Sequence, residues 1–272
     1  LYSLFMYAFM RRLTLGHKQT HIASLIASVV IAYGGYVSSY PPLQLAVLEA
    51  SIWFPLGALG ILEATRTNSL NWRWIAFAGF ALGLSWLAGH PQTSWFMTYL
   101  LVAYLAYRVY QQRIGWRQFI IGLIGFGIIT LGVTAVTLLP GIEYLLQTSR
   151  EGLGFSQKGN GFPFKDIWQL VFPGSVSLWS PLYIGIPALF FVGVAIFRNA
   201  PESRFWLIVA IIGLIHSVGA NSSFYYVTYN LIPGLRFFRG QERAAFVVAN
   251  SLAILTGIGV ASATTWTNQA QQ

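Results

Sequence analysis

Residues 108–139 read RVYQQRIGWRQFIIGLIGFGIITLGVTAVTLL, with three arginines in the first ten residues and no charge in the last 22. A helix needs about 20 consecutive apolar residues to cross the roughly 30 Å hydrocarbon core of a bilayer. The same unit, a short charged gap followed by a long apolar run, recurs along the chain. The stretch therefore predicts one membrane-spanning helix, and its recurrence predicts a multi-pass membrane protein.

The same pattern along the rest of the chain predicts an all-α fold. This fold would be a polytopic transmembrane helix bundle, in which residues 1–272 form one transmembrane domain. A partial helix ends at Arg11, and Pro140 is expected to end its own helix. Because Leu1–Met10 is too short to span a bilayer, we expect at least one helix and the first outer loop to lie upstream of Leu1. The eight complete spans predicted are His21–Ser39, Leu43–Glu63, Trp74–Ala88, Ser94–Tyr110, Phe119–Leu138, Pro181–Phe197, Phe205–Gly219 and Ala244–Trp266.

Composition excludes several classes of protein. Hydrophobic residues make up 56% and charged residues 8% of the chain, and the mean hydropathy is +0.60; a soluble domain carries about 25% charged residues. There are no cysteines, so disulfides, thiolate catalysis and Cys-ligated zinc are excluded. The net charge of +9 does not follow a stripe or a nucleic-acid-binding motif, so no nucleic-acid partner is expected.

The basic residues fall in every second gap, which is the positive-inside pattern. This pattern predicts a multi-pass protein of the bacterial cytoplasmic (inner) membrane with these gaps in the cytoplasm. Residues 140–181 and 220–243 are then external loops, each containing short amphipathic pieces, such as Ile142–Leu146 and Ile167–Phe172, that would lie in the membrane interface. The cytoplasmic basic residues would be Arg11, Arg12, Lys18, Arg66, Arg73, Arg108, Arg113, Arg117, Arg198 and Arg204.

The second external loop holds the densest group of charges, Arg236, Arg239, Glu242 and Arg243. The arginines are spaced three and four apart, so they would share one face if the segment were helical. Three guanidinium groups on the side where positive charge is not favoured predict a site for a phosphate or pyrophosphate, which Arg grips with two hydrogen bonds. The alternative is that these arginines reach lipid headgroups or pair with Glu242.

Other candidates are single polar residues near the same predicted side. Glu143 could orient a hydroxyl group or act as a base, or it could simply pair with Arg150. His90, next to Gln92 in a tight hairpin, could transfer protons or bind a hydroxyl-rich ligand, or it could only cap the turn. Glu49, together with Gln44, is a candidate wall of the site, because a carboxylate inside a span usually faces a cavity. For His216, a structural role is expected.

Several stretches, taken in order, resemble the YfhO-type bacterial membrane proteins, which belong to the polytopic type C glycosyltransferases. The resemblance covers nearly the whole chain. Its pieces are Arg11-Arg12-Leu13, Gly35, Trp53-Phe54-Pro55, Leu87-Ala88-Gly89-His90-Pro91-Gln92, Leu138-Leu139-Pro140-Gly141-Ile142-Glu143, Gly219-Ala220-Asn221, Ile232-Pro233-Gly234-Leu235-Arg236-Phe237-Phe238-Arg239 and Arg243.

The resemblance implies transfer of a sugar from a polyprenyl-phosphate donor to a cell-envelope polymer or lipid on the outer face of the cytoplasmic membrane. It also implies a catalytic acidic residue in the first outer loop, upstream of Leu1, so the fragment by itself is expected to be inactive. Gly240-Gln241-Glu242 departs from the Val-Pro-type sequence usual between the arginines, which leaves the role of Glu242 open. No cofactor is expected, and a divalent metal remains open.

The main alternative is a transporter or flippase of a lipid-linked or amphipathic substrate. Such a protein would place broken helices and ionisable groups near the middle of the membrane, often in two related halves. Here the centres of the apolar runs are almost uncharged, and no halves repeat. The sequence therefore favours the glycosyltransferase, with Arg236, Arg239, Arg243, Glu242, His90, Gln92 and Arg150 as its substrate-binding residues.

Overall fold

A computed structural model describes residues 1–39, 44–147, 154–175 and 179–263, without the side chains of residues 144–146 and 156. All regular structure in these ranges is helical, which confirms the predicted all-helical class. The α-helices are α1 Tyr2–Leu13, α2 Thr20–Tyr33, α3 Gly35–Ser38, α4 Leu45–Ser51, α5 Phe54–Ala64, α6 Trp72–Leu87, α7 Pro91–Gln111, α8 Trp116–Gln147, α9 Phe155–Lys158, α10 Ile186–Phe197, α11 Ser203–Ser217, α12 Ser223–Leu231 and α13 Ala245–Ala263. The 3₁₀ helices are Phe164–Leu170, Gly219–Asn221, Leu235–Phe237 and Gln241–Ala244.

Four helical stretches in the described ranges are long and apolar enough to cross a membrane: Thr20–Ser38, Leu45–Ala64, Trp116–Glu143 and Gln241–Ala263. Helices α10 and α11 are apolar but shorter. The first two stretches each join two helices, α2 with α3 and α4 with α5. A membrane protein is thus supported by helix length and composition, while the count of eight spans stays a prediction.

Two predicted boundaries are wrong. Helix α8 does not end at Pro140 but continues to Gln147, because a proline forbids only the hydrogen bond that its own nitrogen would donate, and residues beyond it can resume helical bonding. Ile142–Leu146 therefore belongs to α8 and is not a separate interfacial helix. Helix α10 begins at Ile186 rather than Pro181, with Pro187 in its first turn, where a missing N–H does no harm.

Helix α13 occupies the centre of the bundle. It packs against α2, α10 and α11, and 94% of an 18-residue stretch within Gln241–Ala263 is buried, against 22% of such a stretch within Trp116–Glu143 of α8. Such burial on all sides fits a helix that is apolar all round. In α8, by contrast, Ile121, Ile124 and Ile128 are exposed at helical spacing, as expected of a helix that faces lipid.

Close helix contacts in the centre depend on small residues, as in other membrane bundles. The Cα of Gly259 in α13 lies so near α10 that a Cβ there would be 1.9 Å from the backbone oxygen of Phe191. Thr256 Oγ1 donates to the carbonyl of Ala188 in α10 at 3.3 Å. The α10–α13 contact is therefore a backbone-to-backbone contact with no room for a side chain.

The predicted cytoplasmic gaps meet at one end of the bundle, here called the basic end. Glu63 lies between Arg12 and Arg66, 2.7 Å from Nε of each. Arg108 Nη1 donates to Glu202 Oε1 at 2.6 Å. The backbone N–H of Leu70 donates to Gln118 Oε1 at 2.9 Å, which brings the start of α8 to the same end.

The predicted external segments meet at the opposite end, here called the distal end. Gly35 N–H donates to the carbonyl of Tyr183 at 2.6 Å, and Phe162 N–H donates to that of Ser217 at 2.8 Å. Gln92 Nε2 donates to the carbonyl of Gly240 at 3.1 Å. The alternation read from the sequence thus corresponds to two ends of one bundle; which end faces the cytoplasm stays a prediction.

The orientation can be tested in a chain that has no cysteine of its own. Cysteines replacing Gln112, at the basic end, and Asn160, exposed at the distal end, should react oppositely with a membrane-impermeant thiol reagent on intact cells. We expect labelling at residue 160 alone, and at both positions after the cells are permeabilised. Labelling of intact cells at residue 112 alone would show the opposite orientation. Labelling of intact cells at both residues would contradict the prediction that they lie on opposite sides of the membrane.

Candidate functional site

Arg243 is the centre of the polar cluster at the distal end. It is half-buried at the end of the Gln241–Ala244 turn, which leads directly into α13. Its Nη1 donates to Gln92 Oε1 at 2.7 Å, and its Nη2 donates to Gln44 Oε1 at 3.4 Å. Its Nε is buried and makes no hydrogen bond within the described ranges. The guanidinium is therefore held by two neutral amides, and its buried Nε donor is unpaired within the described ranges.

Gln92 sets the position of that guanidinium. It lies in the first turn of α7 and is only 2% exposed. Its oxygen accepts from Arg243 while its Nε2 donates to the carbonyl of Gly240. Gly240 has a φ of 75°, a conformation that favours glycine, and it turns the chain between Arg239 and Gln241. One amide thus joins α7 to the turn that carries Arg243.

His90 caps the start of α7 beside this cluster. Its Nδ1 must accept from the backbone N–H of Thr93 at 3.2 Å, because that group can only donate, and it also contacts Thr93 Oγ1 at 2.7 Å. The neutral ring therefore carries its proton on Nε2. Burial lowers the pKa of His90 to about 4, with the positive charge of Arg243 as a second cause. His90 is thus a neutral hydrogen-bond donor at pH 7 and a poor proton acceptor.

This electrostatic link gives a testable shift. Replacing Arg243 by glutamine removes a nearby positive charge, so protonation of His90 becomes easier and its pKa should rise from about 4 while staying below 6.5, because burial remains. The measurement is a pH titration of histidine-labelled protein in micelles by NMR, with His90→Asn identifying the signal among the four histidines. Arg117→Gln, far away at the basic end, should leave the titration unchanged; an equal shift in both variants would contradict direct coupling.

A buried hydrogen-bond network fixes the turn that precedes Arg243. Gln241 is fully buried, and its Nε2 lies 3.1–3.2 Å from the carbonyls of Lys158 and Phe238 and from the hydroxyl of Tyr225. Its Oε1 accepts from His216 Nε2 at 3.0 Å, so His216 is a buried structural residue. Gln241 could not be singled out from the sequence, since one glutamine at the start of an apolar run has no recognisable pattern.

The three arginines do not share a helical face, so that expectation is wrong. Arg236 lies in the 3₁₀ helix Leu235–Phe237, Phe238 is extended, and Arg243 follows the turn at Gly240. Arg236 and Arg239 are exposed, and the Arg236 guanidinium lies 5.3 Å from the ring centroid of Phe237. Two glycines, at 234 and 240, take left-handed conformations that interrupt any helix.

The remaining predicted residues separate into those inside and outside the cluster. Glu242 is half-buried next to Arg243, and no ion pair within the described ranges includes it. Gln44 belongs to the cluster through Arg243, whereas Glu49 is exposed on α4. Glu143 is exposed on α8 beyond Pro140, and Arg150 lies outside the described residues.

The side chains grouped at the distal end determine what this end could bind. Within the part of the chain that the structure describes, no three His, Asp or Glu side chains come together in a way that could hold a metal ion. The distal cluster instead contains a preorganised cation, two amides and a neutral imidazole, a set suited to binding an anion with neighbouring hydroxyl groups.

No protein-family model, curated protein or solved structure matches the chain.

Proposed function

We propose that the full-length protein is a membrane glycosyltransferase, which moves a sugar from a polyprenyl-phosphate donor to an acceptor on the outer face of the cytoplasmic membrane. The observation that carries this proposal is Arg243, a half-buried guanidinium held by the neutral amides of Gln92 and Gln44. A cation that is positioned in advance by neutral groups keeps its charge for an incoming phosphate. The resemblance described above supplies the sugar-transfer chemistry.

In the proposed reaction, the bond between the sugar C1 and the phosphate oxygen breaks while the acceptor oxygen bonds to C1. The phosphate leaves with additional negative charge, which Arg243 stabilises through a charge-assisted hydrogen bond. The neutral His90 donates from Nε2 to a phosphate oxygen or a sugar hydroxyl. The acceptor proton goes to a base, a role that the resemblance assigns to an acidic residue of the first outer loop.

The exposed arginines take a different role from Arg243 in this proposal. Arg236 and Arg239 attract the anionic donor to the loop, and their interactions are screened by water and salt. Exposed pairs of charges contribute about 0.2–1 kcal/mol each. Arg243, with its fixed geometry and partial burial, should contribute more than either of them.

Replacing Arg243 by alanine should therefore lower sugar transfer by about ten- to a hundredfold, since one charge-assisted contact is worth about 1.5–3 kcal/mol and a decade of rate about 1.4 kcal/mol. Arg243→Lys should recover only part of the loss, because lysine lacks the two-pronged geometry. Arg236→Ala and Arg239→Ala should each cost about fivefold or less. The assay is transfer of radiolabelled hexoses from synthetic polyprenyl phosphates in membranes that contain the full-length protein.

The matched control is Arg117→Ala, which removes an exposed arginine at the basic end and should keep wild-type transfer. Equal expression and equal melting temperatures establish that each variant is folded. If folded Arg243→Ala protein transfers sugar at the wild-type rate, the phosphate site is not at Arg243. If no hexose is transferred by wild-type protein while labelled polyprenyl phosphate crosses the bilayer of proteoliposomes, the flippase alternative replaces the glycosyltransferase.

A further inference from the structure

A cavity of about 460 Å³ opens at the basic end of the bundle, opposite the distal cluster. Its rim carries Arg12, Arg66 and His17, together with the exposed Leu15. Its inner wall includes Leu62 of α5 and Ile258 of α13, which are 4% and 5% exposed. The cavity therefore combines a cationic mouth with an inner wall that is apolar in part.

The charges at the mouth do not cancel. One carboxylate, Glu63, lies between two guanidinium groups: Arg12 donates to it from Nε and Nη2 at 2.7 and 3.2 Å, and Arg66 Nε lies 2.7 Å from it. Arg66 Nη2 donates to the carbonyl of Arg12 at 3.2 Å. In the described ranges, Nη1 of both arginines makes no hydrogen bond, and the side chains are 49% and 33% exposed. One positive charge and two donor groups remain for an anion.

The deeper charges of the cavity are already matched. Arg108 and Glu202 form a buried pair 2.6 Å apart, to which Tyr104 adds a hydrogen bond on Glu202 at 3.0 Å. This pair contributes no net charge, so the surplus lies at the rim. An anion would therefore bind near Arg12 and Arg66, with any apolar part of the ligand directed toward Leu62 and Ile258.

The level of the cavity identifies the ligand class. Its walls come from the last turns of two stretches long enough to cross a membrane, Leu45–Ala64 through Leu62 and Gln241–Ala263 through Ala261. The ends of spanning helices lie where the phosphates of the bilayer lie. Basic pockets between helices at this level suit anionic headgroups. We propose that this cavity binds an anionic phospholipid, with its phosphate on Arg12 and Arg66 and an acyl chain against the apolar wall.

The test measures lipid binding to the purified full chain by native mass spectrometry, with phosphatidylglycerol and phosphatidylcholine of equal chain length as probes. Arg66→Gln removes one rim charge and leaves both hydrogen bonds from Arg12 to Glu63 in place. We expect it to weaken phosphatidylglycerol binding about fivefold and leave phosphatidylcholine unchanged. Leu15→Gln should weaken both lipids, because an acyl chain that reaches Leu62 and Ile258 would pass the exposed Leu15 at the rim.

The matched control is Arg117→Gln, an exposed charge at the same end that does not line the cavity. Unchanged phosphatidylglycerol binding in this variant, with a loss in Arg66→Gln, supports the site. Equal losses in both variants show general attraction to the basic end and overturn the proposal. Displacement of phosphatidylglycerol from wild-type protein by millimolar inorganic phosphate overturns the lipid assignment, since it identifies a site for free phosphate. The distal cluster takes no part in these outcomes, so they do not depend on the proposed transferase activity.

Discussion

Glu202→Ala is expected to destabilise the protein by about 3–5 kcal/mol, because removing one partner of a buried ion pair leaves the other charge buried and uncompensated. The Glu202 side chain is 4% exposed and that of Arg108 10%. Tyr104 Oη at 3.0 Å and Trp206 Nε1 at 3.3 Å also donate to Glu202, and both would lose an acceptor. The measurement is the free energy of unfolding in mixed micelles, from titration with a denaturing detergent.

Two controls separate the ion pair from other effects of this substitution. Glu49→Ala removes an exposed carboxylate and should change the free energy of unfolding by about 0.5 kcal/mol or less. The double variant Arg108→Met, Glu202→Gln removes both charges and should recover most of the loss, because no charge then stays buried alone. A single Glu202→Ala variant as stable as the wild type would show that the pair does not hold this end of the bundle together.

Gly259→Ala is expected to lower the free energy of unfolding by about 3 kcal/mol, which lies at the upper end of the usual range for overpacking. The added methyl group would meet the backbone oxygen of Phe191 at 1.9 Å, and backbone cannot rotate away as a side chain can. Helices α10 and α13 would have to separate. The measurement is again the free energy of unfolding, with loss of the Thr256 to Ala188 hydrogen bond as the structural consequence.

The matched control is the same substitution in the partner helix. A Cβ at Gly193 in α10 would meet nothing within 4 Å, so Gly193→Ala should be neutral or stabilise by about 0.5–1 kcal/mol through helix propensity. Opposite effects of one methyl group in two neighbouring helices would establish the close approach. Equal effects would mean that α10 and α13 do not approach each other closely at Gly259 and Phe191.

Local patterns in the sequence were enough to predict the helical fold and the separation of charged gaps. Runs such as residues 118–139 leave few alternatives to a helix in lipid, and the basic gaps do meet at one end through Glu63 and Glu202. The extension of α8 through Pro140 was missed, because a proline signals the loss of one hydrogen bond without telling whether the helix resumes.

The candidate site was harder to predict because its contacts are distant in the chain. Gln92 and Arg243 are 151 residues apart, and Arg108 and Glu202 are 94 apart, so no spacing rule joins them. Gln92 and Arg243 were both predicted as substrate-binding residues, but each from its neighbours in the sequence and not from their contact with each other. The supposed helical face of the arginines could have been doubted from the sequence, since Gly240 stands between Arg239 and Arg243 and glycine favours a turn.

The central position of α13 has a consequence for biogenesis. Its neighbours α2, α7, α10 and α11 all precede it in the chain, so the ribosome delivers them to the membrane before the helix that they surround. Until α13 is inserted, the surfaces that it covers must face lipid or the insertion machinery. The packing of these four helices around α13 therefore waits until α13 is inserted, and chains that stop before Ala245 would leave them without their central partner.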